Sequence, residues 1–437
     1  MKTNLLEATI EDIGSKNSIN NFYPFSTKDD RYNKVFSFNE IIGLFISDIS
    51  NKELDTFDEN TFKEKCLKQF EDLINDSSYD NVIEEIYFSE NRLILDSLLV
   101  YQTYKASPKS KKIFEIFKQL NSKKYLDINF ESNVNFIERI ILDELKSNLK
   151  SKPSKSTLSS YLTFLEPLFN KDLKFISKNK HYFTQNIEKF FELYLFIYCS
   201  QLALNLKPNI NALEEPRARD LYFILNHEKV SVERKKIMDN GYSNLYERAK
   251  YIFPYLSLLS VLSNVSNEED LRLYDLVGKF DNSHTDIEVI DAFNIKFRKA
   301  KKLALSLLNS ESIEKALDSL LNSAYEQFRD NCVVDRKNAL DKYIKAFEKQ
   351  VAKAFLQTRG RAGKILVLDQ DTIVLLTNIA IGDKKKLRFQ DLLKELKERG
   401  ICFDSKSQNE LLELFERIGN IERKSDSGDA VYVKTTI

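Results

Sequence analysis

The side chains best suited to chemistry are the cations that recur through residues 336–364. This stretch holds nine Lys and Arg residues but only two acids, Asp341 and Glu348, and nine minus two leaves a net charge of +7. Its central lysines are spaced by three or four residues, at Lys342, Lys345, Lys349 and Lys353. That spacing places them on one face of a helix, opposite the apolar residues Ile344, Phe347, Val351 and Phe355. The pattern predicts an amphipathic helix whose lysine face contacts a phosphate backbone.

The basic stretch ends in residues 358–364, which combine two glycines with Arg359, Arg361 and Lys364. Glycine allows many backbone conformations, so we expect a flexible linker whose charges reach phosphates. The same residues resemble a nucleotide-binding P-loop only in part. Ile365 stands where the metal-binding hydroxyl belongs, and the loop precedes its strand instead of following it. We therefore reject nucleotide hydrolysis at this loop.

The residues that follow have the element order of a winged helix-turn-helix. A strand at Ile365–Leu368 precedes a helix that begins after Asp369 and Asp371 and ends at Gly382, as acids and glycine favour those positions. A second helix carries Phe389, Leu392, Leu393 and Leu396 on one face. A third, capped by Asp404 or Ser405, carries Leu411, Leu412, Phe415 and Ile418. A hairpin, Ile421–Lys424 and Ala430–Lys434, flanks the turn residues Ser425–Asp429.

In a winged helix the third helix enters the major groove of double-stranded DNA. The residues expected to meet base edges are Lys406, Gln408 and Asn409. Phosphate contacts are expected from the residues that open the second helix, Lys384, Lys385, Lys386 and Arg388, and from Arg423 and Lys424, which enter the hairpin. However, residues 365–437 hold twelve Lys and Arg against thirteen Asp and Glu, a net charge of −1, and Glu410, Glu413 and Glu416 fall on the third helix. Because carboxylates repel phosphates, DNA binding and protein docking both remain open for this module.

The composition indicates the fold class and the domain organisation of the chain. The chain has 437 residues with 66 basic and 66 acidic side chains, so its formal net charge is zero and basic surfaces must arise by local segregation. Only 10 Gly and 7 Pro are present, which predicts a mainly α fold with short connections. We expect an N-terminal helical domain (1–150), a central helical domain (151–331), a basic helix with linker (332–364) and the winged helix (365–437). Residues 151–156 are either an interdomain linker or an interhelical loop.

The cysteines and the longest stretches without charged residues predict a cytoplasmic protein. The four cysteines, Cys66, Cys199, Cys332 and Cys402, lie far apart and form no zinc-binding motif. The longest uncharged runs, at 193–206 and 251–266, are too short and too polar to span a membrane. We predict that both runs form buried helices and that the chain binds no metal or cofactor.

No pattern of catalytic residues stands out. The triplet Glu144-Leu145-Lys146 follows Asp143 and is the best candidate for a metal nuclease, but such triplets arise by chance in a chain with 30% charged residues. His181, His227 and His284 lack partnered motifs. We therefore expect no enzymatic activity, with a nuclease at Asp143 as a rival hypothesis.

The last seventy or so residues, taken as one winged helix, resemble the C-terminal region of DptG proteins. The similarity is carried by the segments 368–372, 381–383, 399–401 and 425–433, with the sequences LDQDT, IGD, RGI and SDSGDAVYV. Members of that family look like G components of bacterial phosphorothioation-dependent restriction systems, an antiviral defence. The resemblance implies partners, an F component and a helicase-like H component, and a complex that attacks DNA lacking the phosphorothioate mark. It implies no catalytic residue. The alternatives are a transcription regulator and a helical scaffold whose winged helix docks only protein.

Overall fold

The structure, a computed structural model, describes most of the chain: residues 1–19, 21–25, 36–54, 57–74, 79–88, 93, 95, 97–122, 134–153, 158–269, 271–281, 283–305, 308–329, 334–424 and 430–437. Helix predominates over strand in these ranges, which confirms the predicted mainly α fold class. The side chains of Ile74, Asn209, Ile210, Val334, Asp335, Lys424 and Ala430 lie outside the description.

The α-helices, in chain order, are α1 (Lys2–Glu7), α2 (Ile10–Ile13), α3 (Phe38–Ser50), α4 (Glu59–Ile74), α5 (Asp80–Tyr87), α6 (Pro108–Leu120), α7 (Phe136–Ser147), α8 (Leu165–Ile176), α9 (Lys180–Asn205), α10 (Lys235–Asn240), α11 (Tyr242–Ala249), α12 (Ile252–Ser266), α13 (His284–Ala300), α14 (Ile313–Glu326), α15 (Val334–Gln350), α16 (Gln370–Ile381), α17 (Phe389–Glu398) and α18 (Ser405–Arg417). The strands are β1 (Lys52–Leu54), β2 (Leu149–Ser151), β3 (Leu221–Leu225), β4 (Leu356–Thr358), β5 (Lys364–Leu368), β6 (Lys386–Arg388), β7 (Ile401–Phe403), β8 (Ile421–Lys424) and β9 (Ala430–Lys434).

Contacts divide the chain into two compact units. The small unit consists of residues 36–157 and 173–192, and the large unit consists of residues 1–35, 158–172 and 193–437. These units differ in their boundaries from the four predicted domains, because the large unit takes residues from all four. Residue 151 ends β2, which pairs with β1, and residues 154–156 of the proposed linker lie outside the described ranges. The four domains stay a prediction.

The two long uncharged runs form buried helices, as predicted. Residues 193–206 fall in the second half of α9 and just beyond it, and residues 251–266 correspond to α12. Most of their apolar side chains are buried, including Tyr194, Tyr198 and Tyr255. Within the described ranges, every helix is too short or too polar to cross a membrane.

A mixed sheet in the large unit was not expected. Its strand order is β4-β5-β3-β7, with β3 parallel to both β5 and β7 and with β4 antiparallel to β5. Its inner strands β3 and β5 are almost entirely buried, and near-continuous apolar strands are typical of parallel sheets covered on both faces. The predicted linker at 358–364 consists of the last residue of β4, the turn and the first residue of β5, and in the turn the Arg359 amide donates to the Gly363 carbonyl at 2.7 Å. This turn is therefore part of the sheet and not a flexible linker.

The small unit depends on a close backbone approach at Gly43 in α3. A Cβ atom built on Gly43 would lie 2.1 Å from the carbonyl oxygen of Tyr101, in the 3-10 helix Leu98–Thr103. The glycine is buried, and the obstructing atoms belong to backbone that cannot rotate away.

We expect Gly43→Ala to lower the free energy of unfolding. Overpacking costs about 1–3 kcal/mol, which exceeds the gain of up to about 1 kcal/mol in helix propensity. The measurement is urea denaturation, with Gly278→Ala as control because a Cβ there meets no atom within 4 Å. Equal stability of the two variants would contradict the predicted clash.

Candidate nucleic-acid interface

Helix α15 is amphipathic, as its sequence predicts. The apolar residues Ile344, Phe347, Val351 and Phe355 are all buried. On the other side Lys345, Lys349 and Lys353 are exposed, whereas Lys342 is only half-exposed. The helix ends at Gln350, so Lys353 belongs to the following 3-10 helix, Lys353–Phe355. The lysine face is therefore one turn shorter than predicted and continues in a second element.

The turn between β4 and β5 is tied to the end of α15. Lys364 Nζ lies 2.8 Å from Glu348 Oε1, and the hydroxyl of Tyr242 donates to the same carboxylate oxygen. The Lys364 ammonium also lies 5.7 Å from the centre of the Tyr242 ring. This contact brings the basic turn to the last turns of the lysine helix. We call Lys345, Lys349, Lys353, Arg361 and Lys364 the basic patch.

The cations of this region differ in their exposure and in whether other groups of the protein already bind them. Arg359 is half-buried, and its guanidinium donates to the carbonyl of Asn226. This side chain therefore has a structural role. Lys364 is paired with Glu348. Lys345, Lys353 and Arg361 are exposed, and within the described ranges no hydrogen bond or ion pair engages their side chains. These three carry the charge that remains for a polyanion.

The first and third C-terminal helices, α16 and α18, and the hairpin lie where the sequence predicts, although α16 begins at Gln370, before Asp371. Asp369 caps α16 by accepting from the Thr372 amide at 2.7 Å, and Gly382, with φ of 56°, follows its last residue. The hairpin strands are β8 and β9, and the tip at 425–429 lies outside the described residues. Leu412 and Ile418 are half-exposed and not inward; Leu414 is buried in their place.

Two strands in this region correct the predicted topology. The strand at 365–368, β5, pairs with β3 and β4 and not with the hairpin. The sequence that opens the second helix forms β6 first, and β6 pairs with β9 to give a sheet of order β6-β9-β8. Lys386 and Arg388 therefore lie on a strand, while Lys385 is exposed at the preceding corner, with φ of 61°.

Two of the three side chains on α18 that are predicted to contact base edges are exposed. Lys406 and Asn409 are exposed. Gln408 is half-buried and donates from its side chain to the Phe403 carbonyl at 2.9 Å, which occupies the amide. Arg423 pairs with Glu416. The side chain of Lys424 lies outside the description.

A buried polar cluster fixes the N-terminus of α18. Asp404 caps the helix, accepting from the Ser407 amide at 3.0 Å, and also accepts from Arg234 Nε at 2.9 Å. Ser407 Oγ donates to Glu228 Oε2 at 2.8 Å and accepts from Arg234 Nη2 at 2.8 Å. Desolvation opposes the Asp404 carboxylate, but the hydrogen bonds from Arg234 and Ser407 outweigh it, so the pKa of Asp404 lies below its ordinary value. Arg234 thereby sets the position of the helix.

Three acidic side chains follow the first turn of α18. Glu413 and Glu416 are exposed, and Glu410 Oε2 lies 3.4 Å from His227 Nε2. Acidic side chains on a groove-reading helix weaken phosphate binding. This helix alone is a poor polyanion surface.

The rival catalytic residues are engaged in ordinary contacts. Asp143 pairs with Lys146 across one helical turn at 3.8 Å, and Glu144 accepts from Gln69 at 2.8 Å. Over the described ranges, no three His, Cys, Asp or Glu side chains converge to hold a metal ion. Cys66, Cys199 and Cys402 are buried free thiols, and burial raises the pKa of Cys66 and of Cys402 to about 12. Cys332 lies outside the described residues.

No family model matches this chain, and no curated protein matches it significantly.

One cationic surface was only partly foreseen from the sequence. Lys386, Arg388 and Lys434 lie on one face of the sheet formed by β6, β9 and β8, around Tyr432. The structure places Lys386 and Arg388 on β6 and not at the start of a helix, and it brings Lys434 of β9 beside them. The alternation Lys-Leu-Arg at 386–388 and Tyr-Val-Lys at 432–434 is a two-residue period, which is the signal of a strand with one charged face.

Proposed function

We propose that this chain is a non-catalytic, DNA-contacting subunit of a bacterial phosphorothioation-dependent restriction complex. The observation that carries the DNA contact is the basic patch. Its cations come from α15, from the next 3-10 helix and from the β4–β5 turn, and the Glu348–Lys364 contact holds the last of these elements to the first. A patch built from several elements gives a fixed surface for a phosphate backbone.

The C-terminal elements support a winged helix within this proposal. Helices α16, α17 and α18 alternate with strands so that β6 precedes α17 and the hairpin follows α18, and the sheet order is β6-β9-β8. An additional strand, β7, lies between α17 and α18 and pairs with β3. The resemblance to DptG proteins supplies the restriction system and the F and H partners, and the buried free thiols Cys66, Cys199 and Cys402 favour a cytoplasmic setting.

The contacts are expected to be made mainly to phosphates. Phosphate contacts position a protein on DNA without reading sequence, and recognition of a backbone mark requires little base reading. The candidate base-reading set is also reduced, because Gln408 is held by the Phe403 carbonyl. The subunit would therefore guide partner subunits onto DNA of many sequences.

A second candidate function is protein docking by the winged helix alone. The acids of α18, Glu410, Glu413 and Glu416, favour it, since they oppose DNA in the groove-reading position. In that case the chain is a scaffold for the partner subunits and binds no DNA.

We expect the combined variant Lys345→Gln, Lys353→Gln and Arg361→Gln to bind duplex DNA more weakly. Each neutralised phosphate contributes about −0.9 to the slope of log K against log salt, so three lost contacts make the slope shallower by about 2.7. The measurement is fluorescence anisotropy with the full chain and a duplex of arbitrary sequence across a salt series.

The matched control is Lys68→Gln, Lys111→Gln and Lys112→Gln, which removes three charges at exposed positions of the small unit. The control should retain the wild-type slope. Equal losses in both variants would refute the basic patch as a binding surface. A wild-type chain that binds no DNA at low salt would favour the docking function instead.

A further inference from the structure

The outer face of the C-terminal sheet gathers cations from two strands. In the register, Lys386 lies opposite Lys434 and Arg388 lies opposite Tyr432. Glu422 of β8 lies opposite Tyr432 on its other side. Cross-strand partners share a face, so these five side chains form one surface. The alternate residues Leu387 and Val433 face the other way, and Val433 is fully buried.

A single carboxylate holds two of these cations together. Glu422 lies 2.7 Å from Lys386 Nζ and 3.1 Å from Lys434 Nζ. Side-chain exposure is 37% for Lys386, 46% for Lys434 and 28% for Glu422. Both ammonium groups therefore lie within hydrogen-bonding distance of the Glu422 carboxylate. A phosphodiester group would need two ammonium groups in the same arrangement. Glu422 occupies the place of such an anion.

Tyr432 organises the cations beside this carboxylate. Its hydroxyl accepts from Arg388 Nε at 3.2 Å. The Arg388 guanidinium and the Lys386 ammonium lie 5.9 Å and 5.5 Å from the ring centre, within the range of cation–π attraction. Three cations against one carboxylate leave this surface with a net charge of +2, whereas α18 presents acids.

We propose that this sheet face is a phosphate-binding surface for the backbone of duplex DNA, and that Glu422 competes with DNA for Lys386 and Lys434. The proposal rests on the proposed DNA-contacting function and adds a second contact region to the basic patch. If the proposal holds, the Glu422 carboxylate weakens DNA binding. Its removal leaves the Lys386 and Lys434 ammonium groups available for phosphate. The ion pairs are partly exposed and contribute little to stability, so the variant should keep the fold.

The test compares Glu422→Gln with Glu413→Gln in the full chain. Both variants remove one negative charge, but Glu413 is exposed on α18, whereas Glu422 is the carboxylate that pairs with both lysines. We expect Glu422→Gln to bind duplex DNA more tightly than Glu413→Gln. Full release of the two lysines would steepen the salt slope by at most about 1.8, at about 0.9 for each phosphate, because the wild type retains part of these contacts. The variant Lys386→Gln with Lys434→Gln should bind more weakly than wild type.

Fluorescence anisotropy across a salt series measures these effects, and circular dichroism melts verify the fold of each variant. Equal affinity and slope for Glu422→Gln and Glu413→Gln would overturn the competition. If the basic-patch variant loses affinity while the lysine-pair variant does not, the sheet surface is refuted and the proposed function stands. If wild type and Glu422→Gln both fail to bind DNA at low salt, both proposals fail together.

Discussion

Arg399→Met is expected to lower the free energy of unfolding by about 3–5 kcal/mol, the cost of removing one partner of a buried ion pair. Arg399 and Asp172 are both fully buried. Arg399 Nε and Nη2 lie 2.7 Å and 2.6 Å from the two carboxylate oxygens, and Tyr194 also donates its hydroxyl to Asp172. Methionine keeps most of the volume but leaves the Asp172 carboxylate without its cation.

Urea denaturation measures this loss, with Lys397→Met as the matched control. Lys397 lies two residues away and pairs with Asp220 at 3.2 Å, but its side chain is 61% exposed, so its pair is worth about 0–1 kcal/mol. Adding Asp172→Leu to Arg399→Met should recover part of the stability, because well-packed apolar residues can replace a buried pair. A full 3 kcal/mol loss in the control, or none in Arg399→Met, would contradict this account.

Arg234→Met is expected to have a comparable effect on stability, about 3–5 kcal/mol by the same reasoning. The side chain of Arg234 is 9% exposed and contacts two carboxylates, Glu228 with 0% exposure and Asp404 with 13%. Without the guanidinium, two acids and the Ser407 hydroxyl face each other at the start of α18. Equilibrium unfolding tests this, with Arg417→Met, exposed on the same helix, as the control.

This cluster also predicts how the effect of Arg234→Met depends on pH. In the folded wild type the pKa of Asp404 is lowered despite desolvation, through hydrogen bonds from Arg234 and Ser407. A lowered pKa contributes stability that is present above the unfolded value, about 3.9, and is lost as the pH falls through the folded value. The stability difference between wild type and Arg234→Met should therefore be full near neutral pH and shrink below about pH 4. A difference that stays constant down to pH 3 would argue against a charged cluster.

The mixed sheet limits which experiments can test the proposed DNA-contacting region. Removing the chain after residue 331 would delete β4, β5 and β7 and leave β3 without either neighbour. The large unit would then lose its sheet along with any DNA contact, and lost binding would have two causes. Single side-chain changes in the full chain avoid this ambiguity.

Local sequence was sufficient for the C-terminal helices and for the hairpin. The Asp369 and Asp404 caps, the glycines at 382, 400 and 419, and the apolar spacing of α17 are signals contained within a few residues of each element. The same holds for α15, whose apolar and lysine faces follow from helical periodicity. Apart from residues 386–388, which form β6 instead of the start of the second helix, these elements were correctly predicted because capping, turn formation and helix amphipathicity depend on near neighbours.

The partners of those elements were decided only by the tertiary structure. A short apolar run such as 221–225 reads equally well as buried helix or strand, and its pairing with β5 and β7 joins distant parts of the chain. Arg399 and Asp172 are 227 residues apart, and Arg234 and Asp404 are 170 apart. The sequence by itself thus determined a mainly helical chain with a basic helix and a C-terminal three-helix module. Which cations are free, which are held by carboxylates and which share a sheet face was decided by folding, because strand register and buried ion pairs are non-local contacts that periodicity does not encode.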